Sequence, residues 1–200
     1  LITNKDEINS ILQDNGLDGF IYNKCLDEKE MIGDASIIKQ HEDKLIILDK
    51  RNTKKLFCFD ITGKLLWLYE GKGSGPLEYK KISDFVINKN SKTIEVLDDG
   101  NFKIIELSFE GKPKNEHKLG VFASEFEIFE NNYLLYTKNF YVSDSLDYKL
   151  LLYNKSDGIL SRNLKLKENE KKILWYGFNS LNKYNSVLYF NEKLNDTIYS

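Results

Sequence analysis

The sequence predicts an all-β protein, and within that class a β-propeller whose blades are sheets of four antiparallel strands. The first observation is a spaced repeat. Asp60-Ile61-Thr62-Gly63-Lys64 is echoed by Phe109-Glu110-Gly111-Lys112 and by Ser156-Asp157-Gly158, with the glycines 48 and then 47 residues apart. A fixed period in this range, with several short strands per unit, marks propeller blades. The second observation is that each glycine follows an apolar, aromatic-containing run, over residues 55–59, 104–109 and 148–153. The third is that runs such as Leu45-Ile46-Ile47-Leu48 and Phe85-Val86-Ile87 are apolar at nearly every position, as strands covered on both faces are. A parallel β-helix turns in far fewer than about 47 residues, and a β-sandwich leaves the glycine period unexplained.

Residues 1–18 read as a helical or extended lead-in. Ile8, Ile11 and Leu12 share one helical face, Thr3 or Asn4 caps the start and Gly16 ends it. Residues 19–200 read as a partial propeller of about three and a half blades. The first blade, about 33–72, has strands at 35–40, 44–48, 55–60 and 64–70. Gly63 supplies the positive φ its last turn needs. The second blade, about 80–120, has strands at 82–88, 93–97, 102–109 and 112–119. The third, about 122–167, has strands at 124–130, 133–138, 148–153 and 159–166. The fourth, about 172–200, begins at 173–179 and continues at 186–190 and 197–199.

Composition excludes several function classes. The 29 basic and 31 acidic residues are interspersed, with no block of Lys and Arg able to neutralise a nucleic-acid backbone. No apolar run approaches the ~18 residues of a membrane helix. The two cysteines, Cys25 and Cys58, make no disulfide framework and no CxxC site, and read as buried thiols. The chain starts at Leu1 without an initiator Met, as a trimmed or partial chain does, so the missing signal peptide is no evidence for the cytoplasm.

Five segments in order carry a resemblance: Ile32-Gly33-Asp34, Leu48-Asp49, Phe59-Asp60-Ile61-Thr62-Gly63-Lys64, Gly71-Lys72-Gly73-Ser74-Gly75-Pro76-Leu77-Glu78-Tyr79 and Ile82-Ser83-Asp84-Phe85. Together they resemble the six-bladed β-propeller family common in Bacteroidota. Asn195-Asp196-Thr197-Ile198-Tyr199 is similar to a segment which that family carries partway through its propeller. The resemblance covers residues 20–200 and implies a relative of NHL-repeat proteins, secreted or lipid-anchored, in the periplasm or at the cell surface. It brings no catalytic residues. Six blades of ~47 residues need about 280 residues, so it also implies a fragment of a ring or a ring that does not close alone. Cys25 is a poor lipidation site, because Ile21-Tyr22-Asn23-Lys24 lacks small residues.

Candidate site residues fall in four places. The Gly71–Pro76 loop carries G-x-G-x-G, but Pro76 and a following strand replace the helix N-terminus that phosphate cradling needs. The loop reads as an inter-blade turn, with Glu78 and Tyr79 leading to the channel mouth or, more simply, bonding and packing structurally. Asp98-Asp99-Gly100-Asn101 is the cluster most like a Ca²⁺ loop, yet the Glu at the twelfth position is missing and the same residues make an ordinary turn. The expectation is therefore no cofactor, with Ca²⁺ the ion to consider. Lys50 and Arg51 open a basic loop, solvated or in contact with an anionic ligand. Trp175 and Tyr176 suit an aromatic platform for carbohydrate, or core packing between blades. Asp34, Asp84, Glu125 and Asn179 stand near the starts of inner strands.

The function these features point to is a non-enzymatic extracytoplasmic binding protein for a glycan, peptide or protein partner. The alternative is a lyase or lactonase-type enzyme with a divalent cation in the central channel. If the chain ends at residue 200, its open blade edges are expected to self-associate.

Overall fold

The computed structural model describes residues 32–138, 147–167, 180–184, 187–191 and 198–199. The helix-like stretch over 1–16, Cys25, the strand expected at 173–179, Trp175, Tyr176 and Asn179 lie outside them. The described residues form four sheets and no helix. The first sheet holds β1 (Ile37–His41), β2 (Lys44–Leu48), β3 (Leu56–Asp60) and β4 (Leu65–Tyr69). The second holds β5 (Ile82–Asn88), β6 (Thr93–Asp98), β7 (Lys103–Ser108) and β8 (Pro113–Lys118). The third holds β9 (Glu125–Phe129), β10 (Asn132–Tyr136), β11 (Tyr148–Asn154) and β12 (Gly158–Lys165), and the fourth β13 (Leu181–Tyr184), β14 (Val187–Asn191) and β15 (Ile198–Tyr199).

Every sheet is an antiparallel meander in chain order. The three repeated glycines sit in the turns between third and fourth strands, with φ of 83° at Gly63, 76° at Gly111 and 77° at Gly158. An L side chain pays for that conformation. The ladders between third and fourth strands also share a register shift, at Cys58/Phe59, Glu106/Leu107 and Leu152/Tyr153. Among the described residues the fourth sheet holds a strand that the sequence reading did not place, Leu181–Tyr184, paired with β14. The apolar run at 173–176 has the higher strand propensity, whereas Leu181-Asn182-Lys183-Tyr184 buries only its leucine.

The sheets pack face to face as blades. Alternate residues of one strand serve two interfaces, because successive side chains point to opposite faces. In the second blade Phe85, Val96 and Ile105 pack with Ile46, Leu48 and Leu56 of the first. Their neighbours Val86, Leu97 and Ile104 pack with Phe126, Leu135 and Leu151 of the third. The third blade repeats the pattern, giving Tyr136 and Leu150 to Leu181 and Phe190 of the fourth. This two-sided burial explains the uniformly apolar strands. Cys58 lies in the first interface, fully buried and free, and burial pushes its thiol up to about 12.

The first strands β1, β5, β9 and β13 are neighbours in succession, so they line the propeller axis. The fourth strands β8 and β12 are largely polar and exposed, as outer edges are.

Candidate functional site at the axis

Strand register assigns equivalent positions across the blades. Ile37 pairs with Leu48, Asp84 with Leu97, Glu125 with Tyr136 and Leu181 with Phe190. Ile37, Asp84, Glu125 and Leu181 therefore occupy one position on the axial strands. In all four blades the residue before it is serine: Ser36, Ser83, Ser124 and Ser180. Ser36 and Ser124 donate their backbone N–H groups to Leu48 O and Tyr136 O, both at 2.9 and 2.8 Å respectively. In the first and third blades the serine thus closes the start of the axial strand against the second strand.

Two positions beyond the paired residue of the second strand, the chain places Lys50, Asp99 and Lys138. These three side chains come from equivalent loops at the same end of the axis. They share one electrostatic neighbourhood with Asp84 and Glu125. Burial holds the Lys50 ammonium below the ordinary lysine range, against the pull of Asp84 and Glu125, while Lys138 pushes it further down and Asp99 opposes. Burial also raises the Glu125 carboxyl, and the negative charge of Asp84 adds to the effect. Asp99 is raised by the same loss of water, only partly offset by its ion pair to Lys81, whose Nζ lies 2.7 Å from Asp99 Oδ2.

The axial carboxylates also staple blades together. Asp84 Oδ1 accepts from Phe85 N at 2.8 Å, and its Oδ2 accepts from Phe126 N in the next blade at 3.0 Å. Glu125 Oε2 accepts from Ser180 N at 2.6 Å and Leu181 N at 3.2 Å, again in the next blade. A carboxylate that accepts backbone N–H groups contributes more than a neutral acceptor does.

The structure brings together Lys50, Asp84, Asp99 and Glu125 from the sequence-derived candidates. The other described candidates stand elsewhere. Arg51 is mostly exposed, 3.5 Å from Asp34 Oδ2. Asp98 is wholly buried, accepting from Lys80 N, Lys81 N, Gly100 N, Asn101 N and Asn101 Nδ2 at 2.7–3.3 Å. Asp49 plays the same part in the first blade, bonded to Gly33 N, Arg51 N, Asn52 N, Thr53 N and the Thr53 hydroxyl. Burial alone would raise the Asp49 carboxyl, but these donors outweigh it and hold the group below its usual range.

Glu78, Tyr79 and Asn101 build the crossing between the first two blades. Glu78 Oε2 accepts from Gly75 N at 2.9 Å, and a Cβ on Gly73 would fall 2.0 Å from that oxygen. Tyr79 is buried against Tyr69 in the inter-blade core. Asn101 Nδ2 donates to Gly73 O at 3.3 Å. Buried Lys103 donates to Gly75 O at 3.1 Å and to Glu116 Oε2 at 2.6 Å.

Sequence reasoning missed the serine repeat, Lys138 and the Lys81–Asp99 pair. The serines are 47, 41 and 56 residues apart, so uneven loop lengths hide a repeat that strand starts would have aligned. Among the described residues no group of three or more His, Cys, Asp or Glu is placed to hold a metal ion. No described helix is long and apolar enough to cross a membrane.

The model of a family described as a domain of unknown function, DUF4934, matches residues 27–200. No curated protein matches the chain in sequence. Among solved structures, the chain is similar to a "Putative exported protein" of Bacteroides fragilis, at 21% identity and a TM-score of 0.73, over 90% of this chain and 50% of that one. The Pan2 WD40 domain of Neurospora crassa matches at 11% identity and a TM-score of 0.47, over 64% of this chain and 35% of that one. BamB of Moraxella catarrhalis matches at 12% identity and 0.44, over the same shares. The chain thus spans half or less of the length of these structures. The first likeness carries the propeller fold.

Proposed function

We take as premise that the chain belongs to the DUF4934 family, and we propose that it is an extracytoplasmic β-propeller binding protein whose ligand, a glycan, peptide or protein partner, docks at the axial mouth. The observation that carries this reading is the convergence of Lys50, Asp99 and Lys138, from equivalent loops of three blades, around the axial carboxylates Asp84 and Glu125. A charged group held partly out of water is costly to a fold unless something else uses it, and Lys50 and Lys138 have no hydrogen bond or ion pair to a described residue. Fold alone assigns no activity. Against the alternative of a cation-dependent lyase or lactonase, both oxygens of Asp84 already accept backbone N–H groups, which commits lone pairs that a divalent ion would need.

The extracytoplasmic assignment draws support from the exported character named for the Bacteroides fragilis neighbour, and fractionation of the native host tests it. The four blades are read as part of a six-bladed NHL-like ring, in keeping with a period near 47 residues and coverage of 50% of that neighbour.

The binding reading is tested by exposing immobilised glycans and peptides to the protein and to a Lys50→Ala/Lys138→Ala variant. Ligands captured by the native protein and lost by the variant are expected. Capture that ignores the substitutions would overturn the axial site.

A further inference from the structure

Among the axial groups, some hydrogen-bonding capacity is spent and some is not. Asp84 is spent on backbone donors, and both bonds to Glu125 fall on Oε2. Asp99 gives Oδ2 to Lys81, but its Oδ1 is buried and has no hydrogen-bond partner. Asp99 itself is 7% exposed, so this oxygen meets no bulk water. The ammonium groups of Lys50 and Lys138 make no hydrogen bond or ion pair to a described residue, although the carboxylates act on both. The neighbourhood therefore holds one buried acceptor without a partner and two half-buried ammonium groups free to donate to a ligand.

Charge selects among the ligands that would meet them. Lys50, Lys81 and Lys138 stand against Asp84, Asp99 and Glu125, and the nearby Asp98 charge is taken up by the four backbone N–H groups bonded to it. An added ion would bring an uncompensated charge into a partly desolvated place. A hydroxyl both donates and accepts, so one hydroxyl can give its proton to Asp99 Oδ1 while a neighbouring one accepts from a lysine. Resting on the axial-binding reading above, we propose that Lys50, Asp99 and Lys138 bind a neutral polyhydroxylated ligand, a sugar, with Asp99 Oδ1 accepting a ligand hydroxyl and the two ammonium groups donating to ligand oxygens.

The test titrates the chain with neutral methyl pyranosides of glucose, galactose, mannose and N-acetylglucosamine, and in parallel with glucuronate and with a zwitterionic dipeptide. The readout is the NMR signals of the lysine side-chain amines. At least one neutral glycoside is expected to shift Lys50 and Lys138. Its affinity should fall roughly tenfold or more in Asp99→Asn and in Lys138→Ala, as the loss of a charge-assisted hydrogen bond implies. It should hold in Lys112→Ala, an exposed lysine in a turn between third and fourth strands. Asp99→Asn keeps the size of the side chain, and Lys138→Ala stands as the second probe should the first misfold. Glycoside binding that both substitutions leave unchanged would place the sugar elsewhere and overturn the inference. Shifts with glucuronate or the dipeptide but with no neutral glycoside would overturn the sugar assignment while leaving the axial site standing. No shift with any probe overturns the inference, and the axial reading falls with it only if captured ligands also ignore Lys50→Ala/Lys138→Ala.

Discussion

Asp98 shows how one residue type serves two plans that look alike in sequence. Asp98-Asp99-Gly100-Asn101 reads equally as a turn and as the start of a cation loop, because both use short oxygen-bearing side chains beside glycine. What separates them is non-local. The carboxylate of Asp98 reaches back to Lys80 N and Lys81 N, just before the axial strand, at 3.0 and 2.9 Å. Asp49 does the same to Gly33 N at 2.9 Å in the first blade. Each aspartate ties the entry of its blade to the turn between its second and third strands. Asp98→Ala leaves four backbone N–H groups short of a partner and is expected to cost about 2–4 kcal/mol, measured by urea unfolding. A cost below about 0.5 kcal/mol would show that the turn stands without its clip. The neighbouring Asp99 instead pairs with Lys81 and keeps one oxygen buried without a partner, and adjacency in sequence gave no hint of that division.

At the scale of the strand and turn, the glycine period was legible because each glycine has a backbone reason. The reasons are not equal. A Cβ on Gly158 would meet nothing within 4 Å, so Gly158→Ala pays only for its φ of +77°, about 1–2 kcal/mol. A Cβ on Gly111 would fall 2.5 Å from Trp67 Cδ2, and Trp67 Nε1 donates to Phe109 O at 3.0 Å across the blade interface. Gly111→Ala should therefore cost roughly 1–3 kcal/mol more than Gly158→Ala. Equal midpoints in thermal unfolding would contradict the packing of Trp67 on that turn. The strand at Leu181–Tyr184 was not legible, because it buries only its leucine and carries little apolar signal. Strand ends elsewhere fell within a residue or two, as hydrogen-bonding limits allow.

Across the whole molecule, the propeller was readable from periodicity, but the site was not, because it is assembled from positions that only the stacking of blades makes equivalent. Lys50, Asp99 and Lys138 have different chemistry and unequal spacing, so no local pattern joins them. Their burial leaves a trace in the pH dependence of stability. The Glu125 carboxyl lies above its ordinary 4.5 because of burial and Asp84, so the folded protein keeps a proton that the unfolded chain releases. Its contribution falls as the pH rises from about 4.5 through the folded value. Asp49 lies below its ordinary 3.8, so its contribution is present above that value and is lost as the pH falls through the folded one. Glu125→Gln keeps an oxygen for Ser180 N and Leu181 N and removes the buried charge. Thermal midpoints from about pH 4 to about pH 8 should show a shallower decline for the variant and a higher midpoint at neutral pH. A decline as steep as that of the native protein would place the Glu125 charge in water.

The convergence of three blades on one axial cluster is tested most directly by the NMR titration of lysine side-chain amines, in the native protein and in Glu125→Gln. Lys50 stands in the first blade and Glu125 in the third, and only the propeller brings their charges together. Lys50 is expected to titrate below the ordinary lysine value of 10.5, and to move lower still when the Glu125 charge that opposes the shift is removed. Lys50 titrating with the exposed lysines, and unmoved by Glu125→Gln, would contradict the axial site.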